Sequence, residues 1–380
     1  MKKTTVVIFT QKDNLTKINF KPMLEYPLLV AKKLTDEIPI IVTDDANVKE
    51  YAKDRANFSE VNYISENDGT VIALKGNLPL ITAETVSSAL SFHIENKNDA
   101  TVVTSKDSEE ISLCIFESEK IKSITNDFSE ILSENIMSGA LIEENKTNLF
   151  SVHDKVDVAI ADKITRERVA FSLMLNGVTI INPENTYIEA GVEVGTDTII
   201  YPGTVIEGNT KIGESCVIYP NCAIKNCIIG ERVEIKSSTL VDSSVGSDTS
   251  VGPYAYVRPE SEIGSNTKIG DFVEIKKAKI GNGTKISHLT YVGDAIVGEN
   301  VNFGCGTVTV NYDGKKKSLT QIGNNAFIGC NTNLVAPVKV GNDVFIAAGS
   351  TITDEIEDGD FAIARSRQTN KKGWVKPKDK

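Results

Sequence analysis

Three histidines occur in this 380-residue chain, and only His288 lies in its C-terminal half. Histidine is the side chain whose charge changes near neutral pH, so an isolated imidazole is a candidate proton acceptor. A single histidine is more often a satisfied structural group, so its neighbourhood must decide. Residues 310–321 read VNYDGKKKSLTQ and bring Tyr312 together with Lys315, Lys316 and Lys317. A polar loop with one aromatic ring and three ammonium groups favours binding over a tolerated insertion. From Arg365 onward seven basic residues face one acid, Asp379. On a chain of net charge −11 such a local patch suits phosphate groups, although the last five residues read as a solvated tail. Six cysteines in so large a chain do not make a disulfide scaffold, and no CxxC pair suggests zinc.

The element that must position these groups is a repeat. Aliphatic residues recur every six positions: Ile188, Val194, Ile200, Ile206, Ile212, Ile218 and Ile224. They return at Val245, Val251, Val257, Ile263, Ile269 and Ile275, and again at Ile322, Ile328, Leu334, Val340, Ile346 and Ile352. A period of six fits neither an α-helix nor an alternating strand. It predicts a parallel β-helix whose short strands turn a corner every six residues, one aliphatic side chain pointing inward per face. Glycine often follows the aliphatic residue, as in Ile212-Gly213 and Ile263-Gly264, and glycine and asparagine are expected to supply the corners. The loop at 310–321 interrupts this repeat, and a polar loop ejected from a rigid scaffold is a common place for function.

The first part of the chain is punctuated differently. Of 27 glycines only Gly69, Gly76 and Gly139 precede Gly177. Apolar runs at 6–9, 38–42, 70–74, 100–104 and 111–116 predict buried strands, separated by segments able to form helices; this is a layered α/β pattern with a mostly parallel sheet. In 155–176, Val156, Ile160, Ile164, Val169 and Leu173 fall at helical spacing, and Gly177 marks a C-terminal stop. The predicted organisation is an α/β domain at 1–154, a linking helix at 155–177, the β-helix at 178–352 and a basic tail at 353–380. The negative net charge argues against a nucleic-acid binder. No apolar run reaches the roughly 18 residues needed to span a membrane. The start, with Lys2-Lys3 and a short apolar stretch, does not read as a signal peptide, so a cytoplasmic location is expected.

The strings YVRPES, GDFVEIKKAKIGNGTKISHLTYVGDA, GENVNFGCGTVTVNYDGKKK, IGNNAFIGCNTNLVAPVKVG and RSRQTNKKGW closely resemble the C-terminal half of the bacterial GlmU family. These are bifunctional N-acetylglucosamine-1-phosphate uridyltransferases and glucosamine-1-phosphate N-acetyltransferases. The resemblance runs from about residue 176 to the end. It implies a left-handed β-helix, a homotrimer, and acetyl transfer from acetyl-CoA to glucosamine 1-phosphate without a metal. It places His288 as general base and Glu274 as the acid that orients it. It assigns Arg258, Lys276, Tyr291, Asn302 and Lys317 to the sugar phosphate. Cys305, Asn311, Tyr312, Cys330, Ala348 and Arg365 are assigned to acetyl-CoA, with cysteines where the family often has alanine and serine. Such chemistry needs a base for the ammonium, cations for the phosphate and donors for the oxyanion.

The N-terminal resemblance is degenerate. The family's phosphate loop, L-A-A-G-x-G-T-R-M, is replaced by TQKDNLTKIN, without glycine or arginine. Asn77 in GNLPLIT stands for a magnesium-binding aspartate, and His153-Asp154 stand for paired asparagines. The expectation is a monofunctional acetyltransferase in UDP-N-acetylglucosamine biosynthesis, its uridyltransferase activity lost. The alternatives are a bifunctional enzyme with an eroded first domain, or a non-catalytic regulator of a true enzyme.

Overall fold

The computed structural model describes residues 3–10, 13–59, 69–106, 110–121, 128–129, 137–372 and 374. Gln11 and Lys12 of the first loop, and residues 375–380 of the basic tail, lie outside the described residues. The chain divides into two compact units, Met1–Arg168 and Val169–Lys380.

The first unit is built on a seven-stranded sheet. Its order is Asn57–Ser59, Ile40–Val42, Thr4–Phe9, Thr70–Lys75, Leu113–Glu117, Ala100–Ser105 and Ser138–Glu143. Only Leu113–Glu117 runs antiparallel to its neighbours. The five predicted strands are present. The two edge strands were not foreseen; Ser138–Glu143 alternates exposed and half-buried positions and holds only the short run Ala140-Leu141-Ile142. Three helices, α1 (Glu25–Leu34), α2 (Ala46–Ala52) and α3 (Ala83–Glu95), contribute Leu28, Val48, Val86 and Ala89 to the core on one sheet face, with Val6, Ile8, Ile72 and Leu74. On the other face Val7, Phe9, Ala73 and Cys114 are covered by Ile111, Ile121 and Phe128. Helix α4 (Lys155–Leu175) starts where the Asp154 carboxylate accepts from the Val156 and Asp157 N–H groups, satisfying two otherwise orphaned donors. Of the five residues at helical spacing, Ile164, Val169 and Leu173 pack against buried clusters. Val156 and Ile160 are exposed, while Ala161, Thr165 and Ala170 are buried.

The second unit is a parallel β-helix. Ile200, Ile218, Ile235 and Val251 stack in register on one face, Ile206, Ile224, Leu240 and Val257 on a second, and Ile212, Ile229, Val245 and Ile263 on a third. Partners are 18 residues apart where the period is strict (Ile188 with Ile206) and 16 after five-residue steps (Ile224 with Leu240). They are 25 apart across the ejected loop (Phe303 with Ile328). Of the nineteen periodic positions only Val194 is merely half-buried, and each fully buried aliphatic side chain contributes roughly 1.5–3 kcal/mol. Buried threonines close the corners: Thr198 Oγ1 donates to Gly213 O at 2.8 Å and accepts from Cys216 N at 3.0 Å. The glycine after the aliphatic residue has another reason than the one predicted. A Cβ on Gly213 would lie 2.7 Å from Gly230 C in the next coil, so close stacking, not a left-handed backbone, demands it. The left-handed corners fall largely to other residues, among them Asp197, Asn221 and Asn266. The solenoid also runs past the expected end at 352, since Phe361–Ala362 pairs with Phe345–Ile346.

Candidate active site

One corner recurs along the β-helix. Phe272, Leu289, Gly306, Asn331 and Gly349 all have positive φ, from 44° to 75°. The residues just before them, Asp271, His288, Cys305, Cys330 and Ala348, therefore follow one another along a single edge, about 4.8 Å per coil. Register fixes the start of this column: Asp271 pairs directly with His288. Backbone bonds continue it, from Asn331 N to Cys305 O and from Gly349 N to Cys330 O, both 2.8 Å. Arg365 joins its far end, with Cδ 3.6 Å from the Cβ position of Gly349. The fold thus aligns the predicted base with four of the six residues expected to contact acetyl-CoA.

The face that follows this corner carries the cations. Tyr256, Glu274, Tyr291 and Val308 stack in register at its start. Two residues further, Lys276 pairs with Gly293, and Arg258 N donates to Ile275 O, setting Arg258 one coil before Lys276. Positions two apart on a strand are separated by about 7 Å, so Tyr291 and the cations share one small surface that His288 borders. Lys276 Nζ lies 3.6 Å from Asp294 Oδ2, at 18% and 12% exposure. Asn311 Nδ2 donates to Asp294 and, at 3.4 Å, to the Tyr291 hydroxyl, anchoring the foot of the ejected loop. Tyr312 then bridges antiparallel to Lys317, which folds the loop's lysine back towards Lys276. The neighbouring Lys276 ammonium first, and Arg258 after it, push Lys317 below the usual lysine range. Three cations held this close attract an anion strongly.

Within one chain Asn311 and Tyr312 stand with these cations and not in the Cys305 column. Asn302 pairs with Lys285 and Phe327 on the strand leading to Cys305, apart from the cation cluster. Glu274 requires a correction. Its Oε1 accepts from Arg258 Nη1 at 2.7 Å, and the carboxylate on the imidazole is Asp271, whose Oδ1 is 2.5 Å from His288 Nδ1. The reason is register: Asp271 is the residue one coil, 17 positions, before His288, whereas Glu274 belongs to the next face. The same coil arithmetic would have identified Asp294, 18 residues after Lys276, as the lysine's counter-ion. The hydrogen bond from His288 holds the Asp271 carboxyl below its ordinary range.

In the first unit Asn77 is 1% exposed, with Nδ2 donating to Val152 O at 3.1 Å and Oδ1 unpartnered. Among the described residues no three carboxylate, histidine or cysteine groups are placed to hold a metal ion. No helix there is long and apolar enough to cross a membrane.

The repeat and its outward column define a hexapeptide-repeat transferase. The family model "Bacterial transferase hexapeptide (six repeats)" matches residues 242–277 and 319–354. "Bifunctional protein GlmU" of Acetivibrio thermocellus is 44% identical over 362 residues, covering 82% of this chain and 78% of that protein. Its counterpart in Clostridium perfringens (strain SM101 / Type A) is 47% identical over 365 residues, covering 83% and 80%. That of Clostridium botulinum (strain Kyoto / Type A2) is 41% identical over 402 residues, covering 89% and 88%. The chain belongs to the GlmU family and is a transferase.

Proposed function

We propose that this chain transfers the acetyl group of acetyl-CoA to the amine of glucosamine 1-phosphate. The observation that carries the proposal is the placement of one imidazole between a three-cation surface and an outward column ending at Arg365. In this reading Arg258, Lys276 and Lys317 hold the phosphate, and Tyr291 lines the sugar. Asn302, Asn311 and Tyr312 complete the pocket. Acetyl-CoA lies along Cys305, Cys330 and Ala348, with Arg365 at its phosphates. His288 Nε2 takes a proton from the sugar ammonium. The freed amine attacks the thioester carbonyl, the added nitrogen gives up its second proton as the tetrahedral oxyanion collapses, and the departing sulfur takes up that proton, so the coenzyme leaves as its thiol. The product, N-acetylglucosamine 1-phosphate, feeds UDP-N-acetylglucosamine synthesis in the cytoplasm, and the working assembly is a homotrimer. No step requires a metal. Thiol release from acetyl-CoA in the presence of glucosamine 1-phosphate tests this. His288→Ala should slow it about 10²–10⁴-fold, and a variant as fast as the parent would reject the assignment.

The relatives' name allows a second activity. We propose that uridylyl transfer is absent here. The glycines and arginine of the phosphate loop are missing, and a buried amide stands where a magnesium-binding carboxylate is needed. Pyrophosphate release from UTP and N-acetylglucosamine 1-phosphate by the purified chain would overturn that proposal.

A further inference from the structure

We infer that Asp271 is the positioning residue for His288, fixing the imidazole so that Nε2, and not Nδ1, presents its lone pair to the substrate amine. The inference rests on the reading of His288 as the base. A carboxylate has no hydrogen to give, so at the Asp271 Oδ1···His288 Nδ1 contact the ring must donate. A neutral imidazole has only one N–H. Committing it to Nδ1 leaves Nε2 as the acceptor, which is the tautomer a base on this edge requires.

The backbone prepares the contact. Asp271 and His288 are register partners on parallel strands, and Leu289 N donates to Asp271 O at 3.0 Å. Both residues are followed by a bulky side chain in the left-handed region, Phe272 at φ 54° and Leu289 at φ 44°. Such a conformation is costly for a residue with a Cβ. Its repetition in consecutive coils makes the two side chains leave the edge in parallel, one coil apart. The other nearby carboxylate is engaged, because Glu274 accepts from Arg258. On the opposite side of His288 the column offers Cys305, which has no carboxylate that could replace Asp271. The hydrogen bond from the ring keeps the Asp271 carboxyl ionised to lower pH than usual, so the acceptor persists throughout the neutral range.

The test uses the full-length protein, with Asp271→Ala to remove the acceptor and Asp271→Asn to retain an acceptor oxygen in nearly the same shape. With only three histidines in the chain, selective 15N labelling gives a spectrum in which His288 is identified by its loss in His288→Ala. The parent should show the Nδ1–H tautomer at a pH where the ring is neutral. Asp271→Ala should lose that preference and lower kcat about 10- to 100-fold, part of the 10²–10⁴ that a positioned base supplies. KM for both substrates should stay within about twofold of the parent, the sign of an interaction that matters to the reacting state alone. Asp271→Asn should recover the tautomer and most of the rate. A tautomer unchanged in Asp271→Ala, or one that is lost while kcat is not, overturns the inference. If His288→Ala keeps full activity, the base assignment fails instead, and the tautomer measurement still decides whether Asp271 holds the ring.

Discussion

Replacing Lys276 by methionine tests the three-cation surface directly. Methionine keeps most of the apolar stem and removes only the ammonium. At 18% exposure this lysine is the most sheltered of the cluster's lysines, and its contact with Asp294 aims it across the face. A hydrogen bond between charged groups contributes about 1.5–3 kcal/mol, and 1.4 kcal/mol is a factor of ten. The KM for glucosamine 1-phosphate should therefore rise about 10- to 100-fold, with Arg258 and Lys317 holding what affinity remains. The KM for acetyl-CoA should change by less than about twofold. The variant also changes the pH dependence. In the parent Lys317 is pushed down by the Lys276 ammonium beside it, with Arg258 adding to the effect. It therefore loses its charge, and its grip on phosphate, at a lower pH than an ordinary lysine. Removing Lys276 relieves that pressure, so the alkaline rise in acceptor KM should move to higher pH. The assay is thiol release at varied acceptor and pH, repeated with glucosamine lacking the phosphate. An unchanged acceptor KM, or an equal loss with the phosphate-free sugar, would refute the reasoning.

Three further outcomes follow from the same geometry. Ile235 is fully buried between Ile218 and Val251, so Ile235→Ala should cost about 2–5 kcal/mol in urea unfolding, whereas half-buried Val194→Ala should cost clearly less. Asn77→Asp sets a buried carboxylate against the Val152 carbonyl that now accepts from the amide. It should destabilise the first unit by about 1–3 kcal/mol, lower the melting temperature, and create no pyrophosphate release from UTP, since the phosphate loop is still lacking; release from this variant would contradict that account. Of the six free cysteines only Cys305 and Cys330 are not buried, and burial pushes the Cys216, Cys222 and Cys227 thiols up. Iodoacetamide should label Cys305 and Cys330 first, and acetyl-CoA should slow both. Equal labelling with and without acetyl-CoA would remove the coenzyme from this edge.

The β-helix was legible because one inward residue per six has a single physical task, and the aliphatic spacing records it. The five-residue steps were harder, since Ile229, Leu240 and Ile280 break the count without breaking the core. In the first unit the continuous runs gave the buried strands, and the edge strand Ser138–Glu143 left only a short run. Helix α4 illustrates a different limit: Val156 and Ile160 share the spacing of Ile164, yet small Ala161 and Thr165 are the buried residues. Apolar periodicity reports which residues can be covered, not which face the tertiary structure covers.

The site residues divide along the same line. Those named through family resemblance arrived with roles but without geometry, and Glu274, assigned to His288 in that way, bonds Arg258 instead. In a solenoid proximity runs along the coil axis, so the informative neighbour of residue i is i minus 17 or 18, and Asp271 satisfies that test where Glu274 does not. The architecture also explains how the chemistry of this edge can vary. Inward positions are committed to close packing, where even one methylene is felt. Outward positions along the corner lie outside that core, with Cys305 half-buried and Cys330 exposed. A change at either should therefore leave the packed core of the coil beneath it untouched.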